Sequence, residues 1–171
     1  RGNKAYIDTL ETNRVISDSV IPLVIDKGNI DIYVQVGGTG NGTGTDSNNR
    51  ASSINNALEQ LAIRWGLKAN QFSKGINLKG TNIVVNCNGT TSYSENVNIA
   101  NIRGGSIRLN FESNTQVTGL INVTSCDYVY ITGNRTDGNS NDGARFYRTD
   151  DSNAITFRGC KMVACRNFRM Y

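Results

Sequence analysis

The side chains in this chain that could do chemistry are mostly carboxylates. The sequence contains no histidine, which removes Ser-His-Asp and Cys-His catalysis, HExxH zinc sites and His-ligated metals. Beyond residue 80 the acids are Glu95, Glu112, Asp127, Asp137, Asp142, Asp150 and Asp151. Two facing carboxylates can cleave a glycosidic bond, one protonated as acid and one ionised as nucleophile or base. One carboxylate can instead take a proton from a sugar carbon acidified by its neighbouring carboxylate, with Arg or Lys neutralising the developing charge.

Four of these acids, Asp137, Asp142, Asp150 and Asp151, fall in the polar stretch from Gly133 to Asn153 and are the candidate catalytic residues. The same stretch carries Arg135, Arg145, Phe146, Tyr147 and Arg148. An aromatic pair flanked by guanidinium groups could stack on a sugar ring and hydrogen-bond its hydroxyls, so these five are the candidate ligand-binding residues. A solvated insertion without a site is the plain alternative. The run from Asp137 to Gly143 partly mimics a calcium loop. Its turn glycine comes one place late, however, and Arg148 stands where the bidentate Glu belongs.

Cys87, Cys126, Cys160 and Cys165 show no CxxC spacing, which argues against a zinc knuckle. Four cysteines in a domain this long do not make a disulfide framework, so buried free thiols are expected. The glycine-rich run from Gly37 to Asp46 matches neither GxGxxG nor GxxxxGK[ST] and reads as a flexible surface turn. Asn-x-Thr sequons at Asn41, Asn88, Asn122 and Asn134 are expected by chance in so Asn- and Thr-rich a chain. Neither a metal nor a cofactor is expected.

These side chains need a scaffold, and the composition permits one. The chain has 171 residues, an apolar fraction of 37%, 24 asparagines, 18 glycines and one proline. Disorder is excluded because Ile, Val and Leu recur in tight alternating clusters that can offset the ordering entropy. The net charge is +4, with no basic run or basic–aromatic stripe to suggest nucleic acid. A weakly basic face would suit an acidic glycan. No apolar run is long enough to span a bilayer, so no membrane insertion is expected.

Along the chain, residues 1–29 read as an arm or linker, with an apolar cluster around Pro22 suggesting an edge strand. Residues 30–79 hold a strand, the glycine-rich loop and a helix. In the strand Ile30, Ile32, Val34 and Val36 alternate with Asp31, Tyr33 and Gln35. In the helix, Ser52 to about Trp65, the residues Ile54, Ala57, Leu58, Leu61, Ala62 and Trp65 make one apolar face. Ser52 or Ser53 can cap its start and Gly66 can stop it.

From residue 80 to 171 short β-branched strands recur at related spacings. Ile83-Val84-Val85, Ile107-Arg108-Leu109, Val129-Tyr130-Ile131 and Met162-Val163-Ala164 form one series. Val97-Asn98-Ile99, Ile121-Asn122-Val123 and Ile155-Thr156-Phe157 form a second, and Cys126 and Cys160 share its last step. The step is 24 residues early and 34 late, the extra length being the polar stretch from Gly133 to Asn153, expected to leave the stack. Repeats of this size mean stacked units. Each has too little apolar surface to stand alone and buries a continuous column with its neighbours. A β-sandwich is the rival, but it does not demand the aligned registers. Asn suits the corners, because it tolerates αL bends and can form ladders between rungs. The expected fold class is all-β, a right-handed parallel β-helix (a fold that usually handles polysaccharide) with an N-terminal capping α-helix over its open end.

The order of features in IYVQVGGTGNGTGTDSNNRASSINNALEQL is an Ile-Tyr-Val strand, a Gly/Asp/Asn loop and a Ser-Ile-Asn-x-Ala-Leu helix. It resembles the opening of pectate-lyase-like β-helix domains in bacteriophage tail spikes and tail fibres. The likeness covers residues 30 to 65 by pattern and 80 to 171 by architecture. It implies a virion tail protein, extracellular when acting on its host, that attaches to a bacterial surface glycan. It further implies a homotrimer and other virion tail proteins as partners. Many such spikes also cleave the glycan, so a polysaccharide depolymerase using Asp or Glu is an alternative. A bacterial surface adhesin of the same fold is another.

Overall fold

The computed structural model describes residues 28–68, 70–89, 92–133, 143–147 and 153–170. The arm around Pro22 lies outside them. The described chain is largely strand. It starts with β1 (Asn29–Val34), the glycine-rich loop, and helices α1 (Ile54–Arg64) and α2 (Gln71–Lys74). Next come β2 (Ile76–Asn77), β3 (Asn82–Cys87), β4 (Ser92–Tyr93), β5 (Val97–Ala100), β6 (Ile102–Arg103) and β7 (Ser106–Phe111). They are followed by β8 (Gln116–Val117), β9 (Ile121–Thr124), β10 (Tyr128–Gly133) and β11 (Ala144–Phe146). The last are β12 (Ile155–Arg158), β13 (Met162–Arg166) and β14 (Phe168–Met170).

The strands pair in parallel. One sheet runs β1-β3-β7-β10-β13, a second β4-β8-β11-β14 and a third β5-β9-β12, while β2 pairs with β6. The chain visits the three larger sheets in the same order on each circuit and returns to the first. Ile83 lies beside Ile107 and Val97 beside Ile121, each pair 24 residues apart, and Ile121 lies beside Ile155, 34 apart. The expected registers of these pairs are therefore present.

Alternation decides what faces in. Ile83, Val85 and Cys87, then Ile107, Leu109 and Phe111, then Val129 and Ile131, are fully buried one circuit above another. Each such side chain contributes roughly 1.5–3 kcal/mol. The last circuit keeps the 34-residue step shared by Cys126 and Cys160, so the segment Met162-Val163-Ala164 begins one residue ahead of Val129-Tyr130-Ile131. Val129 pairs with Val163 and Ile131 with Cys165, so Met162 and Ala164 face outward. A one-residue slip reverses every side chain, and the apolar Met162 disguised it.

The stretch from Gly133 to Asn153 is not wholly a loop outside the stack. Its residues Ala144–Phe146 form β11, with Ala144 and Phe146 fully buried. Phe146 meets Phe111 edge-on at 5.7 Å and Phe168 at 4.9 Å, and Phe111 in turn meets Tyr93 at 6.0 Å. These rings form an internal aromatic column.

Helix α1 buries all six expected apolar residues, and the Ser53 side chain caps it by accepting from the Asn56 N–H at 3.0 Å. The chain turns away at Gly66 (φ 64°). Helix α1 packs against β1, β3 and α2, and α2 packs against β5.

The glycine-rich loop is pinned rather than loose. Tyr33 N–H donates to the Gly44 carbonyl at 3.0 Å, and Thr39 N–H to the Arg50 carbonyl at 3.0 Å. A side chain at Gly44 would meet Ile32 Cγ1 at 2.7 Å, so only glycine lets the loop close on β1.

Candidate functional site

The outward residues of the five-stranded sheet fall into columns, because parallel in-register strands bring like positions side by side. One column holds Asn29, Asn82, Ser106, Tyr128 and Met162. The next holds Asp31, Val84, Arg108, Tyr130 and Ala164, and the third Tyr33, Asn86, Asn110, Thr132 and Arg166. The polar members bond across circuits. Thr132 Oγ1 donates to Asn110 Oδ1, Asn110 Nδ2 to Asn86 Oδ1, and Asn86 Nδ2 to Asp31 Oδ1, all at 3.0 Å.

Beside this ladder the later circuits present aromatic surface. Tyr128 is 41% exposed, and the Arg108 guanidinium lies 5.2 Å from the centre of the Tyr130 ring. The Tyr130 hydroxyl donates to Met162 Sδ at 3.9 Å. Aromatic faces, a guanidinium and a rank of amides on one flat surface can stack on a ring and hydrogen-bond its substituents. Such a face offers stacking and hydrogen bonding, and its one carboxylate, Asp31, is engaged by Asn86.

The three described acids beyond residue 80 are occupied structurally. Glu95 accepts from the Ile54 and Asn55 N–H groups at the start of α1, the latter at 2.9 Å. Those N–H groups have no intrahelical partner, and an anion there is favoured by the helix dipole. Glu112 accepts from Gly89 N–H at 3.1 Å. Asp127, 6% exposed, takes Lys161 Nζ at 2.9 Å, Gly104 N–H at 2.9 Å and Arg103 Nη1 at 3.0 Å. These contacts, Lys161 foremost, hold its carboxyl well below the usual range. It stays ionised and is no general acid.

The candidate catalytic residues Asp137, Asp142, Asp150 and Asp151, with Arg135 and Arg148, lie outside the described residues. Of the other candidate ligand-binding residues, Arg145 and Tyr147 are half-buried on and beside β11, whereas Phe146 is fully enclosed in the core. Phe146 is therefore not a stacking platform. Its alternation with the buried Ala144 was the available signal.

The four cysteines are free thiols. Cys87 and Cys126 are buried as expected, but Cys160 is half-buried and Cys165 exposed. Burial pushes the Cys87, Cys126 and Cys165 thiols up, which disfavours the nucleophilic thiolate. In the glycine-rich loop Asp46 accepts from the Asn48 and Asn49 N–H groups, leaving that corner no place for a phosphate. Among the described residues no three metal-ligating side chains converge, and no helix is long and apolar enough to cross a membrane.

Comparison with known proteins finds no protein-family model, no curated protein and no solved structure that matches the chain.

Proposed function

We propose that these circuits open a right-handed parallel β-helix within a bacteriophage tail spike, and that the segment attaches the virion to a bacterial surface polysaccharide. Helices α1 and α2 cap its first circuit, and three copies assemble around one axis. The strand–loop–helix order of residues 30 to 65 and the in-register circuits support this architecture. The observation that carries attachment is the outer face of the five-stranded sheet, where exposed Tyr128 and Arg108 and half-buried Tyr130 flank the amide ladder. The occupied states of Glu95, Glu112 and Asp127 favour binding over cleavage.

The test is to incubate the full-length protein with the host's surface polysaccharide, measuring binding and then the length of the sugar chains. Binding without shortening is expected, weakened about tenfold by Tyr128→Ala, the loss of one ring contact. Shortened chains would turn attention to the acids between 133 and 153. Absence of binding would sink the attachment reading.

A further inference from the structure

Where α1, α2 and β5 meet, the surface forms a half-open cavity of about 290 Å³. That is the small end of the range for ligand pockets. Its floor is apolar, with Leu58 and Phe72 each 3% exposed. Its walls are polar, with Asn56 and Glu59 from α1, Asn70 preceding α2 and Asn98 from β5.

Asn98 connects the cavity to the logic of the stack. In the five-stranded sheet each ladder amide accepts from the following strand and donates to the preceding one, as Asn86 does between Asn110 and Asp31. Asn98 accepts in the same way, from Asn122 Nδ2 at 3.2 Å. Among the described strands of its sheet, however, β5 is the first. The cavity opens beside Asn98, so the amide donor that would continue the ladder borders it.

We propose that this cavity is a binding site for a single uncharged sugar ring. Only the C–H edge of a pyranose meets the small apolar surface that Leu58 and Phe72 leave open. Its hydroxyls, each both donor and acceptor, accept from Asn98, Asn56 and Asn70 and donate to the Glu59 carboxylate. Glu59 is the one formal charge among the lining residues, which disfavours uronates, sulfates and phosphates by like-charge repulsion. The site is separate from the outer face of the five-stranded sheet and does not depend on the role proposed for it.

The test is nuclear magnetic resonance on the isotopically labelled full chain. The probes are the methyl glycosides of glucose, galactose and mannose, N-acetylglucosamine, and glucuronate as the anionic comparison. At least one neutral sugar should give saturable, millimolar shifts in the side-chain amides of Asn56, Asn70 and Asn98, and glucuronate none. Glu59→Gln and Asn98→Ala should each weaken that binding about fivefold, the loss of one hydrogen bond. Neither residue is in the core, and unchanged backbone spectra would show that both variants fold. Tyr128→Ala should leave the shifts untouched, which separates this site from polysaccharide binding on the outer face. The proposal is overturned if no neutral sugar produces saturable shifts there, if glucuronate binds equally well, or if both cavity variants bind like the parent.

Discussion

Asp127 lies between Arg103 of one circuit and Lys161 of the next, forming a charge column of alternating sign. Its folded pKa is depressed below the ordinary 3.8, so its stabilising contribution is present above that value and is lost as pH falls through and below it. Asp127→Asn should therefore be less stable than the parent at neutral pH, with the gap closing on acidification; urea unfolding across that range measures it. Arg103 and Lys161 are 45% and 65% exposed, so salt should narrow the gap as well. A second residue-scale prediction concerns the corner one circuit apart at Asn101, Ser125 and Gly159, with φ of 55°, 54° and 61°. A Cβ at Gly159 would touch only Ser125 Oγ, at an unstrained 3.5 Å. Gly159→Ala should thus cost only its backbone penalty, about 1 kcal/mol, in urea unfolding. The acids were visible in the sequence, but their roles were not. Glu95 binds N–H groups 40 and 41 residues away, and nothing local distinguishes such an anchor from a catalytic carboxylate.

At the scale of elements, the start of α1 is held twice, by Ser53 from within and by Glu95 from the strand region it packs on. Ser53→Ala should cost about 1 kcal/mol, and Glu95→Ala about 1.5 kcal/mol because a charged acceptor is lost. The two should not add, since both act on the same few N–H groups. Amide exchange at Ile54, Asn55 and Asn56 would report the loosening directly. The helix itself was legible because its apolar face recurs over three turns. Helix α2 was not, being only four residues long. The two-residue strands β2, β4, β6 and β8 carry no period of their own, and only their neighbours on adjacent circuits define them.

For the molecule as a whole, each circuit is stabilised chiefly by the ones above and below it. Among the described strands of this sheet, β3, β7 and β10 have paired neighbours on both sides, whereas β13 pairs only with β10 and Val163 is 41% exposed. In this 171-residue chain taken by itself, hydrogen exchange should therefore be slowest in β3, β7 and β10 and fastest in β12 to β14; uniform protection would contradict this ordering. Phe111→Ala, emptying the centre of the aromatic column, should cost about 3–5 kcal/mol in urea unfolding. The circuit length was legible because Ile and Val recur at fixed spacing. The aromatic column was hidden because Phe111 and Phe146 occupy different sheets and meet across a corner. The amide ladder has one more consequence. Its hydrogen bonds from Thr132 through Asn110 and Asn86 all point toward the start of the chain and end on the Asp31 carboxylate. Aligned bonds polarise one another, so this surface carries a miniature macrodipole whose positive end is neutralised by a resident anion. The stack thus has an electrical head and tail, and a reversed circuit laid against the Thr132 end would meet acceptors with acceptors.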